Sequence, residues 1–446
     1  MHSDSRHSLS TRWILTGHIV ATALQTIAAT LLVSLMPLIA RLRFGAGEWQ
    51  TFLVTAALPT FLCASIFWNE LLVRISLKRY LAIYWAVGIL PLVLLAAAQD
   101  YRHLLACHVL AAVGLAGWSP VNGELLKRFY PDDARGRMFG LLSAPTMLAG
   151  IVTVLAAGRW LTADGEAFRI FLPITAALQI ACVVILVRLA AARPAGGDTP
   201  LAPHRGWRDA LLPVVHLRRT LREDRTFALF EAAFMTYGAA YMICEALLPV
   251  LVTKKLGLHY DQVAEAALAV QRGATLLMVM PMGWVLDRLG AVRTSALSFA
   301  ALAAYPLGLM LAGGQTGLAV ASAIFGVAMA GVLHGWMLGP VALAATPQKV
   351  SHYVAIHTTL VGIRGVLFQG LGMLLYEVTG RFAVPLALAA AAFLWAAWQM
   401  WRLRHALVAR RRPAYGAAAA AAETAPDAAA ARISGAIGDA SAGRAR

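Results

Sequence analysis

Twelve runs of predominantly apolar residues, each long enough to cross a bilayer as a helix, follow one another along this chain. A helix needs about twenty such residues to span the hydrocarbon core, whereas a barrel strand needs about ten. In lipid every backbone N–H and C=O must be satisfied within the protein, so runs of this length can only be spanning helices. The expected spans are Trp13–Ala40, Gln50–Trp68, Tyr80–Ala98, Leu104–Leu125, Met138–Trp160 and Arg169–Val187, then Phe227–Val252, Ala266–Leu286, Thr294–Ala312, Gly317–Ala345, Val354–Tyr376 and Phe382–Trp401. The fold class is therefore an all-α polytopic membrane protein of two six-helix halves. Composition agrees, with 60% hydrophobic and 13% charged residues, against about 45–50% and about 25% in soluble domains.

The net charge of +16 would point to nucleic acid in a soluble protein. Here the basic residues sit in short segments between apolar runs, with no separate basic domain, so they read as topogenic charges beside anionic headgroups and no nucleic-acid partner is expected. Lys and Arg favour the loops on the side of the amino terminus by roughly three to one, which places both termini in the cytoplasm of a multi-pass cell-membrane protein. The organisation expected is a cytoplasmic N-terminus (1–12), an N-terminal bundle (13–188), a cytoplasmic central loop (189–226), a C-terminal bundle (227–401) and a basic, Ala-rich disordered tail (402–446). Within the central loop, Trp207, Leu211, Leu212 and Leu217 among basic residues predict an amphipathic surface helix interrupted at Pro213, with a loose tether as the alternative. Cys63, Cys107, Cys182 and Cys244 all fall in apolar runs without a CxxC pair, and they read as core hydrophobes. No metal and no cofactor are expected.

The halves share a faint repeat. Asn69 to Arg79 follows the second span and Gly283 to Arg293 the eighth, with Arg74 aligned on Arg288 and Arg79 on Arg293; Gly117-Trp118 matches Gly335-Trp336. Gly283, Asp287, Arg288, Gly290 and Arg293 resemble the 8–9 loop signature G-x-x-x-D-R-x-G-R-[RK] of the major facilitator superfamily. Ala291 and Val292 depart from it, and the 2–3 copy is degraded, with Asn69, Val73 and Ser76 at its Gly, Asp and Gly positions. The 4–5 loop from Tyr130 to Gly140 also resembles that family's basic turn. The resemblance implies a secondary transporter working by alternating access around a midplane site. It further implies a conformational latch formed by Asp287, Arg288, Gly290, Arg293 and Arg74, for which a topology-setting loop is the alternative. The G-P-x-x-G-G motif of many drug antiporters is absent from the fifth span, which disfavours export by antiport.

Ionisable groups inside spans are costly and usually face a partner or a water-filled cavity. Arg364 lies near the middle of the eleventh span, Arg272 a third of the way into the eighth, and Glu245 towards the outer end of the seventh. Phe234, Tyr237, Tyr241 and Glu245 share a helical face, as do His357, Arg364 and Phe368. By the resemblance these faces meet substrate. Arg364, with Arg272, would hold an anionic or polar group, and Glu245 or a histidine would carry a proton. Glu245 with Arg272 is equally readable as a structural ion pair. Gln25, His108, Trp118, His334 and Trp336 are weaker candidates from the first, fourth and tenth spans, with helix–helix hydrogen bonding or packing as their alternative role. Glu70, Glu124 and Glu231 read as loop-anchoring partners of nearby arginines. The expected partners are a small solute, protons and lipid, and a monomer is expected. The rival classes are a non-transporting assembly factor or receptor and a membrane-embedded transferase. The only Asp pair, Asp132-Asp133, sits in a short basic loop, and no GxSxG, HExxH or P-loop occurs.

Overall fold

The computed structural model describes residues 2–130, 135–192, 212–343 and 350–404. Among these, eleven helices are long and apolar enough to cross a membrane, and a bent pair supplies a twelfth. They are α1 (Trp13–Leu42), α2 (Glu48–Ala64 and Phe67–Arg74), α3 (Leu77–Ala96), α4 (Tyr101–Phe129), α5 (Leu141–Ala163), α6 (Phe168–Ala192), α7 (Arg225–Lys255), α8 (Tyr260–Leu289), α9 (Ala291–Leu311), α10 (Gln315–Trp336), α11 (Leu360–Thr379) and α12 (Ala383–Arg404). The polar residues before Trp13 continue α1 as helix from His2.

Several helices overrun their apolar windows by about a turn because polar residues cap them there. Asp100 accepts from the His103 N–H at 2.8 Å at the start of α4, and Asp224 accepts from the N–H groups of Thr226 and Phe227 at the start of α7. Three of the interior irregularities lie beside proline. Pro59, with a 3₁₀ turn at Leu62–Ala64, bends α2 by 47°. Widened π-helical turns at Leu31–Leu35 and Trp85–Ile89 precede Pro37 and Pro91, where the proline ring would crowd the carbonyl four residues back.

In the N-terminal half α1 packs on α5 and α6, and α3 on α4 and α6; in the C-terminal half α7 packs on α11 and α8 and α9 on α10. The halves meet along two seams, α2 with α11 and α7, and α5 with α8. Lipid tails are as apolar as the side chains, so these contacts depend on close approach and hydrogen bonds rather than on the hydrophobic effect. Small residues accordingly mark the seams: Gly365 and Gly362 of α11 lie on Pro59 and Cys63, and Gly158 of α5 lies on Ala264 of α8.

The connector carries a helix, Leu212–Glu223. Pro213 falls in its first turn, where the missing N–H costs nothing, so it opens the helix instead of interrupting it. Leu217 and Leu221 pack on the core, while Arg218, Arg219 and Arg222 are exposed. The tail expected to be disordered begins as helix, since α12 runs on to Arg404, and its residues 405–446 lie outside the described residues, as do Trp207, Leu211, Asp132 and Asp133.

Candidate functional site

Between the spans, rather than at their ends, one side chain crosses between the halves. Arg272 of α8 donates from Nη2 to Ser34 Oγ of α1 at 2.9 Å and from Nη1 to its own helix at Leu268 O, 3.3 Å. Its stem lies on Gly150 of α5, where an added Cβ would sit 3.2 Å from Arg272 Nε and 3.4 Å from Thr30 Oγ1. Ser34 belongs to the π turn of α1, and Arg272 follows a second π turn at Ala264–Ala269. Such turns shift the register of the side chains beyond them and recur at functional sites. Across from Arg272, Tyr241 of α7 lies one helical turn before Glu245, and its ring stacks on Tyr237 and Phe325 at 6.3 and 5.8 Å. Glu245 acts on Arg272 through its charge, but no ion-pair contact joins them among the described residues; the donors of Arg272 go to Ser34 and Leu268 instead. Ser34, Tyr241, Glu245 and Arg272 are all half-buried. Four helices of both halves thus converge on a carboxylate, a guanidinium, a phenol and a hydroxyl.

Arg364 occupies a different environment. It is 5% exposed, donates from Nη1 to Phe234 O at 2.9 Å and lies over the Tyr237 ring at 5.5 Å. Gly238 makes room for it, since a Cβ there would overlap the guanidinium. Arg364 therefore cross-links α11 to α7 inside the C-terminal half. Seven residues earlier on both helices, with the α11 helix running back to Val350, His357 Nδ1 meets both carboxylate oxygens of Glu231 at 2.9 and 3.0 Å, and both residues are 2% exposed. Glu231 was expected to anchor a loop, but it is inside the bundle because it extends by one turn the face of Phe234, Tyr241 and Glu245. That spacing was the signal in the sequence that could have located it.

The weaker candidates are bonded within their own halves. Gln25 donates to Tyr84, His108 Nε2 meets Val54 O at 3.0 Å, and His334 Nδ1 meets Ala330 O at 2.7 Å. Trp118 packs near Tyr84, and Trp336 lies 5.6 Å from the His357 ring. Among the described residues no group of three or more side chains is placed to hold a metal ion.

At the face opposite the termini, polar clasps close both seams. Lys254 bonds Glu48, Arg159 bonds Glu265 at 3.1 Å, and Thr162 and Asp261 bond reciprocally at 3.0 and 3.1 Å. Beside them Glu166 takes Arg169 and Arg43, and these guanidinium groups, Arg169 first, hold its carboxyl below the usual range. Towards the terminal face, helix α8 exposes Leu277, Met280 and Trp284 by more than 70% each. The 8–9 turn there is made by Gly290 at φ +77°, whose carbonyl accepts the Thr294 N–H at 3.1 Å. Asp287 and Arg288 are exposed at the end of α8, and Arg74 pairs within its own helix with Glu70 at 2.7 Å. Tyr353 bonds the α7 cap Asp224 at 2.8 Å; burial, and then that carboxylate, push the phenol up to about 12.

The family model described as Major Facilitator Superfamily matches residues 19–375. Among solved structures, the chain is similar to a POT family transporter in complex with a thioalcohol-conjugated peptide (TM-score 0.70, 10% identity, covering 87% of this chain and 96% of that one). It is also similar to a mutant of the nucleoside transporter NupG (TM-score 0.64, 14% identity, 89% and 99%). A third likeness is to a bacterial homolog of the human lysosomal transporter Spinster, inward-facing and unoccupied (TM-score 0.57, 14% identity, 88% and 98%). At these identities the likeness is one of fold. No curated protein sequence matches the chain.

Proposed function

This chain belongs to the Major Facilitator Superfamily, and on that premise we propose that it is a proton-coupled secondary transporter of a small polar or anionic organic solute, working by alternating access in the cell membrane with both termini cytoplasmic. The observation that carries the reading is the Arg272–Ser34 bond across the halves, with Glu245 and Tyr241 facing it. A guanidinium and a carboxylate within the spans, not consumed by each other, leave one cation and one anion available to a solute. Arg272 is the anion-binding group, Tyr241 and Ser34 orient the solute, and Glu245 offers the solute a carboxylate. Arg364 serves the site indirectly by fixing α11 to α7.

The clasps at the far face support an inward-facing conformation, with the terminal face open. Switching requires breaking Lys254–Glu48 and Arg159–Glu265 while α5 and α8 close at the other end. Exposed ion pairs contribute roughly 0.5 kcal/mol each, so losing two shifts a two-state population by about fivefold. The double substitution Glu48→Gln and Glu265→Gln is expected to increase the far-face-open fraction by that factor, read as longer spin-label distances between the far ends of α5 and α8. An unchanged distribution would mean that the clasps do not hold the closed state.

Transport is tested by uptake into proteoliposomes under an imposed pH gradient. Nucleosides and short peptides, the solutes named for the similar structures, are tried first, followed by small organic anions. Accumulation that collapses with the gradient is the expected result. Folded protein that accumulates none of these pools, with or without a gradient, counts against the proposal and favours a non-transporting role.

A further inference from the structure

The Glu231–His357 pair has no part in the Arg272 site, yet it is the most enclosed ionisable pair among the described residues. Both side chains are 3% exposed, and His357 Nδ1 is held by both carboxylate oxygens. The other ring nitrogen, Nε2, is buried and has no hydrogen-bond partner among the described residues, although buried polar atoms are nearly always paired. The ring is boxed by Phe230 (6.1 Å), Phe234 (5.1 Å) and Trp336 of α10 (5.6 Å).

The charges around the pair are few. From α11 come Arg364, whose Nε is also unpartnered among the described residues, and Tyr353, tied to Asp224 at the start of α7; from α7 comes Tyr237, beneath Arg364. Glu223 closes the connector helix, α10 contributes Trp336, with His334 turned towards α8, and α2 contributes Cys63 against Gly362. With His357 neutral, Arg364 and Glu231 balance at zero net charge. The donated Nδ1–H satisfies the carboxylate and fixes the tautomer, leaving the Nε2 lone pair as a proton acceptor.

We infer that Glu231 and His357 form a proton-binding site in the wall of the C-terminal half, beside Trp336, and that this site supplies the coupling proton. A proton from water adds to Nε2, and the imidazolium is stabilised by the Glu231 carboxylate already bonded to Nδ1. The added positive charge favours an arrangement of α10 and α11 in which Nε2 reaches water, and its release favours the dry arrangement seen here. Binding and conformation are thereby linked in one element pair. The inference rests on the reading of the protein as a proton-coupled transporter.

The test uses full-length protein in phosphatidylethanolamine–phosphatidylglycerol nanodiscs titrated from pH 8.5 to 5. The Trp336 signal is the tryptophan emission of wild type minus that of W336F. An imidazolium beside the indole quenches it, so the signal is expected to fall along a one-proton curve. The step should vanish in H357N, which retains a donor to Glu231 but has no ring to titrate. In E231Q, which leaves the ring, the step should move to lower pH by about one unit or more, because the stabilising charge is gone. In proteoliposomes, H357N should lose gradient-driven accumulation and retain exchange of the same solute without a gradient. A step that persists in H357N, or that is absent from folded wild type, overturns the site. Undiminished gradient-driven uptake by H357N overturns its coupling role while leaving transport intact. A step lost in H357N, in a protein that accumulates no solute, supports the proton site and counts against the transporter reading.

Discussion

Arg272→Ala is expected to reduce the initial rate of solute uptake by about 100-fold while leaving the folded protein and its unfolding midpoint nearly unchanged. Removing a positioned charge from a desolvated contact costs about 3 kcal/mol, which is that factor. The fold is spared because the guanidinium is half-buried and its partners, Ser34 Oγ and Leu268 O, are not left in a dry core without alternatives; Leu268 O retains its place in the helix. Ser34→Ala removes the orienting hydroxyl and should cost about tenfold, nearer the 1.5 kcal/mol of one hydrogen bond to a charged group. Uptake kinetics and a thermal melt of the same preparations decide the matter. An Arg272→Ala protein that transports normally would remove the guanidinium from the site, whereas one that transports poorly and melts early would make Arg272 a structural strut. Arg364 supplies the contrast, since its burial against Phe234 O and Gly238 makes the loss of that side chain an event inside the bundle.

The second large effect concerns packing. Gly114→Leu is expected to yield little or no monodisperse protein. Gly114 of α4 lies against the backbone of α3, and a Cβ at Gly114 would overlap the Gly88 Cα and N. No rotamer relieves a clash that begins at Cβ and ends on backbone, so the two helices must separate. That separation exceeds the roughly 1–3 kcal/mol of ordinary overpacking. It also disrupts an approach on which lipid-embedded helices depend. Gly88→Ala is the milder companion, with its Cβ 2.9 Å from Gly114 C, and should lower the unfolding midpoint without preventing folding. Recovery of Gly114→Leu in wild-type yield with an unchanged midpoint would show that α3 and α4 do not touch in the membrane.

The candidate site was only half legible. Glu245, Tyr241 and Arg272 announced themselves because an ionisable residue inside an apolar run has few reasons to be there. Their partner Ser34 did not, since serine is ordinary in a spanning helix and gains meaning only from what lies opposite. Glu231 and His357 are 126 residues apart; His357 was legible as a candidate on the face of Arg364, but Glu231 read as a loop anchor and their pairing was not legible. Arg364 illustrates the reverse case. Its depth in the span was plain from the sequence, but whether the guanidinium faces a cleft or another helix depends on the rotation of α11 about its own axis.

What the sequence determined by itself was the number of crossings, their lengths and the division into halves, because bilayer thickness and the absence of water impose those on any chain, one helix at a time. The tertiary structure decided which helices touch, where α2 bends against α11, that Arg272 reaches across to Ser34, and that Glu231 finds His357. Those contacts are set by the fit of small residues between helices far apart in the chain, and apolar periodicity, which repeats on every face exposed to lipid, carries no record of which face meets which.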